Sequence, residues 1–187
     1  MSITERIGGI LLLREESYKE AMEKGTIAEA ASIAAIAVAV SAFFGFIGLG
    51  FYAMRSPVQL FRRLTIAFIP IKFRVPIEIV FWIGWWIVWS LIIGGLSITL
   101  GGEHNIKGFM KLTGYSMFPH IFGVARIIPF LGRPIYFLAL LWSLACWIYS
   151  TKTAFNLRAE KTVMVYVLAF IILILGGFTI MAVIRLT

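Results

Sequence analysis

The sequence predicts an all-α integral membrane protein, a bundle of five transmembrane helices preceded by a short amphipathic helix. Three observations predict it. Sixty per cent of the 187 residues are hydrophobic and only 14% charged, with a mean hydropathy of +0.94, whereas a soluble domain is about half apolar and about a quarter charged. The apolar residues gather in runs of roughly 20, the length that crosses a hydrocarbon core. Turns carrying Gly, Pro, Lys and Arg separate those runs, so the chain has no room for a second, soluble domain.

Residues 1–25 hold Glu5, Glu15, Glu16, Glu20 and Glu23 together with Ile7, Leu11, Tyr18 and Met22 at spacings near one or two helical turns. This predicts an amphipathic surface helix, broken near Ser17. Ser17 with Glu20, and Thr26 with Glu29, each fit the pairing of a hydroxyl with a carboxylate three residues on that satisfies the free amides of a helix start. The short apolar run Ile10 to Leu13 is followed at once by Arg14, Glu15 and Glu16, unlike a signal peptide, so the first span is expected to remain in the mature protein. Residues 26–187 are expected to form one membrane domain with spans at about 27–51, 77–99, 107–128, 134–152 and 162–184.

The first span is rich in alanine. Ala31, Ala35 and Ala39 fall four apart, as do Ala30 and Ala34, and Ser41 and Gly45 extend the small-residue spacing. Small side chains let helix backbones approach closely in lipid, so Ala31, Ala35, Ala39 and Gly45 are the expected packing surface. The connection 52–76 carries Arg55, Arg62, Arg63, Lys72 and Arg74 yet is too apolar for a solvated loop. With Ser56 as N-cap and Pro57 at the first helical position, Leu60, Phe61, Leu64 and Phe68 would form one face and Arg62 with Arg63 another. That is the pattern of a helix lying in the membrane interface, continued after Pro70 by an extended surface stretch. Arg62, Arg63, Lys72 and Arg74 are expected to hold anionic lipid headgroups.

The second span places Trp82, Trp85, Trp86 and Trp89 on one helical face, a packing surface or interface anchor, with Pro76 and Glu78 in its first turn. The third is the least regular. Asn105 is positioned to cap it, Gly114 and Gly123 loosen it, and Pro119 interrupts it. A proline inside a helix removes one backbone bond and frees the carbonyl four residues earlier, here that of Tyr115, so a kink is expected near Pro119. His120 follows directly and is the one ionisable side chain placed near mid-membrane. Such groups are costly there and mark candidate sites; the alternative is a neutral imidazole bonded to Tyr115, Ser116 or a hydroxyl on a neighbouring helix. Tyr115, Pro119 and His120 form the candidate intramembrane polar site. The fourth span opens near Gly132 and Pro134, and the fifth is interrupted only by Gly176 and Gly177.

Other chemistry finds little support. Cys146 is the single cysteine, so neither an internal disulfide nor a cysteine metal site is available. Glu103 and His104 share a short polar turn, but two ligands fall short of a metal site. HExxH, P-loop, Gly-x-Ser-x-Gly and dinucleotide fingerprints are missing from the sequence, and the chain is expected to have no catalytic residues, cofactor or metal and not to be an enzyme. Its net charge of +8 lies between apolar runs, where it suits lipid headgroups rather than nucleic acid. Arg126, near the end of the third segment, is expected to reach toward headgroups. Asp is absent, Gln occurs only at Gln59 and Asn only at Asn105 and Asn156, a depletion of thermolabile amides that points to a hyperthermophilic, archaeal source.

If successive spans alternate, nine cations (Arg6, Arg14, Lys19, Lys24, Lys107, Lys111, Lys152, Arg158 and Lys161) lie on the N-terminal side and eight (Arg55, Arg62, Arg63, Lys72, Arg74, Arg126, Arg133 and Arg185) on the other. Charge alone therefore assigns no orientation.

The stretch LGGEHNIKGFMKLTGYSMFPHIFG, Leu100 to Gly123, resembles the hallmark of the Yip-domain family, named for binding Ypt and Rab GTPases. The matching positions are the Gly101 and Gly102 pair after the second span, Phe109 in the amphipathic lead-in, and Gly114 and Tyr115 followed by Pro119. LLWSLACWIYSTKTAFNLRAEKTVMVYVL is similar to the family's Trp-rich span, helix-ending turn and lysine at the last span, here Lys161, and LLLREESYKEAMEK to its membrane-proximal N-terminal segment. The resemblance implies a five-span bundle, a cytoplasmic N-terminus, oligomerisation and trafficking through a small GTPase partner, although the N-terminal segment here is shorter than the long cytoplasmic region of eukaryotic members.

Together these features predict a non-enzymatic multi-pass scaffold in the lipid bilayer, in the cell membrane for a prokaryotic source. It would associate as a homo- or hetero-oligomer and shape membrane or support trafficking-like processes. The alternative is a small transporter or channel with its site at the broken third helix.

Overall fold

The computed structural model describes residues 2–53 and 71–186, with side chains over 2–48 and 76–176. Seven α-helices and one 3-10 helix are present, without strands, among the described residues. Two short helices come first, α1 (Ile3–Leu11) and α2 (Glu15–Lys24). Ser2 caps α1: its hydroxyl accepts from the Glu5 amide while the Glu5 carboxylate accepts from the Ser2 amide. The chain reverses at Leu13, which takes the left-handed conformation with φ 55°. The break thus comes before the expected position, and Ser17 is buried inside α2 rather than capping it. A tyrosine decides this: Tyr18 is fully buried and donates to the Ile10 carbonyl, drawing the start of α2 into the fold.

Helix α3 (Ile27–Ala53) opens on Thr26, whose hydroxyl accepts from the Glu29 amide. Its most buried stripe runs through Ala30, Ala34, Val38 and Ala42. Ala31, Ala35, Ala39 and Gly45 are partly buried alongside it. The residues 54–70, including Arg62, Arg63 and the face of Leu60, Phe61, Leu64 and Phe68, lie outside the described residues.

Helix α4 spans Ile71–Thr99. The expected extended stretch after Pro70 is therefore helical: Lys72 and Arg74 sit on α4, and Pro76 lies inside the helix rather than in its first turn. Pro76 is only the sixth residue of the helix, so the one amide it lacks costs a single bond near the end. The third segment is two helices, α5 (Ile106–Tyr115) and the 3-10 helix (Phe118–Ile127). Helices α6 (Gly132–Phe155) and α7 (Ala159–Leu186) complete the chain, joined at Asn156, whose left-handed φ of 50° ends α6.

Four stretches are long and apolar enough to cross a membrane among the described residues: Ile27–Gly48, Pro76–Thr99, Gly132–Phe155 and Ala159–Gly176. The kink expected at Pro119 is instead a full break. Helix α5 stops at Tyr115, and Pro119 occupies the first turn of the 3-10 helix, where a missing amide costs nothing.

The turns gather at one end. The Glu103 amide donates to the Phe155 carbonyl, Asn156 donates to the Glu103 carboxylate, and the Lys161 ammonium donates to the Leu100 carbonyl. Lys111 reaches the Met22 carbonyl at 2.7 Å, which brings the end of α2 to the same place. The N-terminal helices and the turns before α5 and α7 thus share one end of the bundle.

Candidate functional site

The broken segment runs the depth of the bundle. At its upper end Gly114 is so close to α3 that a Cβ would come within 2.9 Å of the Ala30 carbonyl. Further on, a Cβ at Gly123 would lie 2.6 Å from the Ser41 Cα, and one at Gly45 would lie 2.6 Å from an Arg126 guanidinium nitrogen. Gly48 likewise abuts the Arg126 backbone. From Ala30 to Gly48 is about 27 Å along a helix axis at about 1.5 Å per residue, close to the thickness of a hydrocarbon core. Against α6 the same progression runs the other way, from the Phe109 and Phe155 rings, 5.2 Å apart, to His120 and Tyr136, 6.4 Å apart.

Polar side chains pair along this path. Arg6 donates to the Glu29 carboxylate and to the Tyr115 hydroxyl, both at 2.9 Å, although its side chain is only 8% exposed. Burial opposes the Arg6 charge, but the bond to Tyr115 and the nearby Glu29 outweigh it and hold the guanidinium above its ordinary pKa. This cluster fastens α1 to α3 and α5. One step deeper, the Ser143 hydroxyl donates to the Ser116 carbonyl at 2.6 Å, and the Ser116 and Ser150 hydroxyls meet at 3.1 Å. The Trp86 indole donates to Thr113, and Thr151 meets the Tyr166 hydroxyl. A Ser116 hydroxyl that also bonds the Leu112 carbonyl helps end α5, because it offers the last turn an alternative partner.

His120 is 6% exposed. Its Nδ1 lies 3.0 Å from the Met117 carbonyl; a carbonyl only accepts, so the neutral ring carries its proton on Nδ1 and leaves Nε2 as an acceptor. The Trp82 ring stands edge-on at 5.4 Å. Beside it, α4, the start of the 3-10 helix and α6 line a partly open cavity of about 150 Å³. Trp82, Trp85, Trp86 and Trp89 form one wall, His120 and Met117 a second, Ser143 and Trp147 a third. Lower down, the Arg126 guanidinium lies 3.6 Å over the centre of the Tyr136 ring, so it packs against an aromatic face and α3.

The structure brings Tyr115, Pro119 and His120 into one element boundary but gives them separate partners. Tyr115 belongs to the Arg6 cluster, Pro119 starts the 3-10 helix, and His120 faces the tryptophans. Sequence reasoning missed Arg6, Ser143, Ser150 and Trp147. A signal existed for the serines, since Ser143 and Ser150 lie seven residues apart on one face of a helix whose middle turns are otherwise apolar. Glu103 ties the Asn156 turn, and no group of three or more metal-ligating side chains occurs among the described residues.

Four long apolar helices, packed with a two-part helical segment that follows the depth of α3, define a multi-pass helical membrane protein. The chain belongs to the Yip1 domain family, whose model matches residues 9–181. The match takes in the α4 tryptophans, the Gly101 and Gly102 turn and the whole broken segment, as the resemblance of Leu100 to Gly123 implies. No curated protein and no solved structure matches the chain.

Proposed function

We propose that the chain is a non-enzymatic membrane scaffold of the Yip type, with five crossings, the third made by α5 and the 3-10 helix in series. The observation that carries this reading is that two clusters of buried polar side chains are consumed by the fold. Arg6, Glu29 and Tyr115 bind one another, and Ser143, Ser116 and Ser150 do the same. Interior groups spent on helix packing favour a structural body over a conducting path.

What remains for a partner polypeptide or for lipid headgroups is the outside. Helix α2 exposes Glu15, Glu16, Lys19, Glu23 and Lys24 at the end of the bundle where the turns gather, and this charged face is the docking surface for a partner polypeptide or a further copy. A photo-cross-linker at Lys19 or Glu23 in native membranes is expected to give a discrete protein adduct, whereas one at the lipid-facing Phe170 gives lipid adducts alone. Lipid adducts alone from α2 would remove the docking role. The connection 52–76 supplies the second contact, with Arg62, Arg63, Lys72 and Arg74 holding anionic headgroups. Neutralising all four is expected to weaken binding to anionic vesicles by on the order of 1 kcal/mol per charge, and unchanged binding would refute the headgroup role. Ala31, Ala35, Ala39 and Gly45 contribute to association of helices around α3.

A further inference from the structure

We propose that the cavity between α4, the 3-10 helix and α6 is a binding site for a lipid-soluble alcohol, whose hydroxyl accepts from the Trp147 indole N–H and donates to His120 Nε2. Trp147 is 9% exposed, and its Nε1 is buried without an acceptor among the described residues. A buried indole N–H ordinarily finds a partner. His120, also more than nine-tenths buried, lines the same cavity with Nδ1 already committed to the Met117 carbonyl. Both side chains line the cavity, and between them they carry one unpaired donor and one acceptor, the complement of a hydroxyl group. Ser143 does not compete as donor, because its proton goes to the Ser116 carbonyl.

The rest of the lining fixes the body of the ligand. Four tryptophans, Met117 and two leucines surround a volume of about 150 Å³, a size that holds a benzene-like group and, with so few polar atoms, disfavours a water cluster. Leu140 and Leu144 line the cavity and are half-buried, and Phe137 and Leu141 on the same helix and Val88 on α4 are exposed apolar side chains. The cavity is therefore reached from the hydrocarbon side, and its occupant arrives from the bilayer with its chain trailing between α4 and α6. Ions and sugars lack that route, and an alkane would leave both polar groups unpaired. The site is independent of the scaffold reading, since it concerns the interior rather than α2 or the 52–76 connection.

The test uses the full chain in nanodiscs of dioleoylphosphatidylcholine, which carries no free hydroxyl. A long-chain alcohol with a diazirine on its first carbons, and its methyl ether of equal length, serve as photolabels. The alcohol is expected to label peptides containing Trp82 to Trp89 and Leu140 to Trp147, with dodecanol as competitor. The ether, which accepts from Trp147 but cannot donate to His120, is expected to bind about fivefold to tenfold more weakly. Trp147→Phe removes the donor and keeps an aromatic body, and a similar weakening for the alcohol is expected while helical content is unchanged. Equal labelling by alcohol and ether in the unaltered protein overturns the proposal without recourse to any variant. Labelling confined to the outer faces of α7 overturns it as well.

Discussion

Replacing Gly123 with leucine is expected to destabilise the bundle by about 3 kcal/mol, the upper part of the range for overpacking a close-packed interior. The cause is a backbone contact. A Cβ at Gly123 would stand 2.6 Å from the Ser41 Cα, and a main-chain atom of α3 cannot rotate aside as a flexible side chain would. Relief requires the 3-10 helix to move off α3, which also lifts His120 from Trp82 and Arg126 from Gly45 and Gly48, since all ride on the same ten residues. The measurement is thermal unfolding in detergent micelles, followed by helical circular dichroism. Gly84 supplies the comparison: a Cβ there would meet nothing within 4 Å, so Gly84→Ala is expected to be neutral or to stabilise by up to about 1 kcal/mol through helix propensity. Equal losses at both positions would refute the close approach of α3 and the broken segment.

Removing Arg6 is the second large effect. Arg6→Ala leaves the Glu29 carboxylate, 20% exposed, without its cation and the Tyr115 hydroxyl without its donor. Breaking a fully buried ion pair costs roughly 3–5 kcal/mol; Glu29 keeps some contact with water, so about 2–3 kcal/mol is expected here. The loss is local. Arg6 joins α1 to α3 and α5, so hydrogen exchange is expected to rise over residues 3–24 while α4 keeps its protection. Arg6→Ala combined with Glu29→Ala is expected to recover part of the loss, because no carboxylate then remains uncompensated. An unchanged exchange pattern in the single variant would show that α1 is held by its apolar face alone, through Ile10 and the Trp142 bond to the Leu11 carbonyl.

Both effects depend on contacts between residues far apart in the chain, and these were the least legible in the sequence. Thr26 and Asn105 were readable as caps because a cap is a local bond, three residues long, and both are observed. The tryptophan face of α4 was readable because a helix of 3.6 residues per turn brings positions 82, 85, 86 and 89 together whatever surrounds them. Ser17 misled for the complementary reason: its pairing pattern with Glu20 is equally local, but burial of Tyr18 against Ile10 and Tyr149 moved the start of α2. Pro119 misled likewise. A proline within an apolar run signals disturbance, and nothing nearby distinguishes a bend from a stop. The stop follows from Ser116, which bonds Leu112, Ser143 and Ser150 on two helices at once.

By itself the sequence determined that this protein lives in a membrane, where its long helices run, and which family it belongs to. Hydropathy and period are sums over neighbours in the chain, and they need no partner to be counted. Only the tertiary structure decided that the third segment breaks into an α-helix and a 3-10 helix, that Arg6 closes onto Glu29 and Tyr115, and that Trp147 and His120 face one cavity. Each of those depends on a group from another helix standing within about 3 Å, or on one failing to, and hydrogen bonds and steric contact act only at that range.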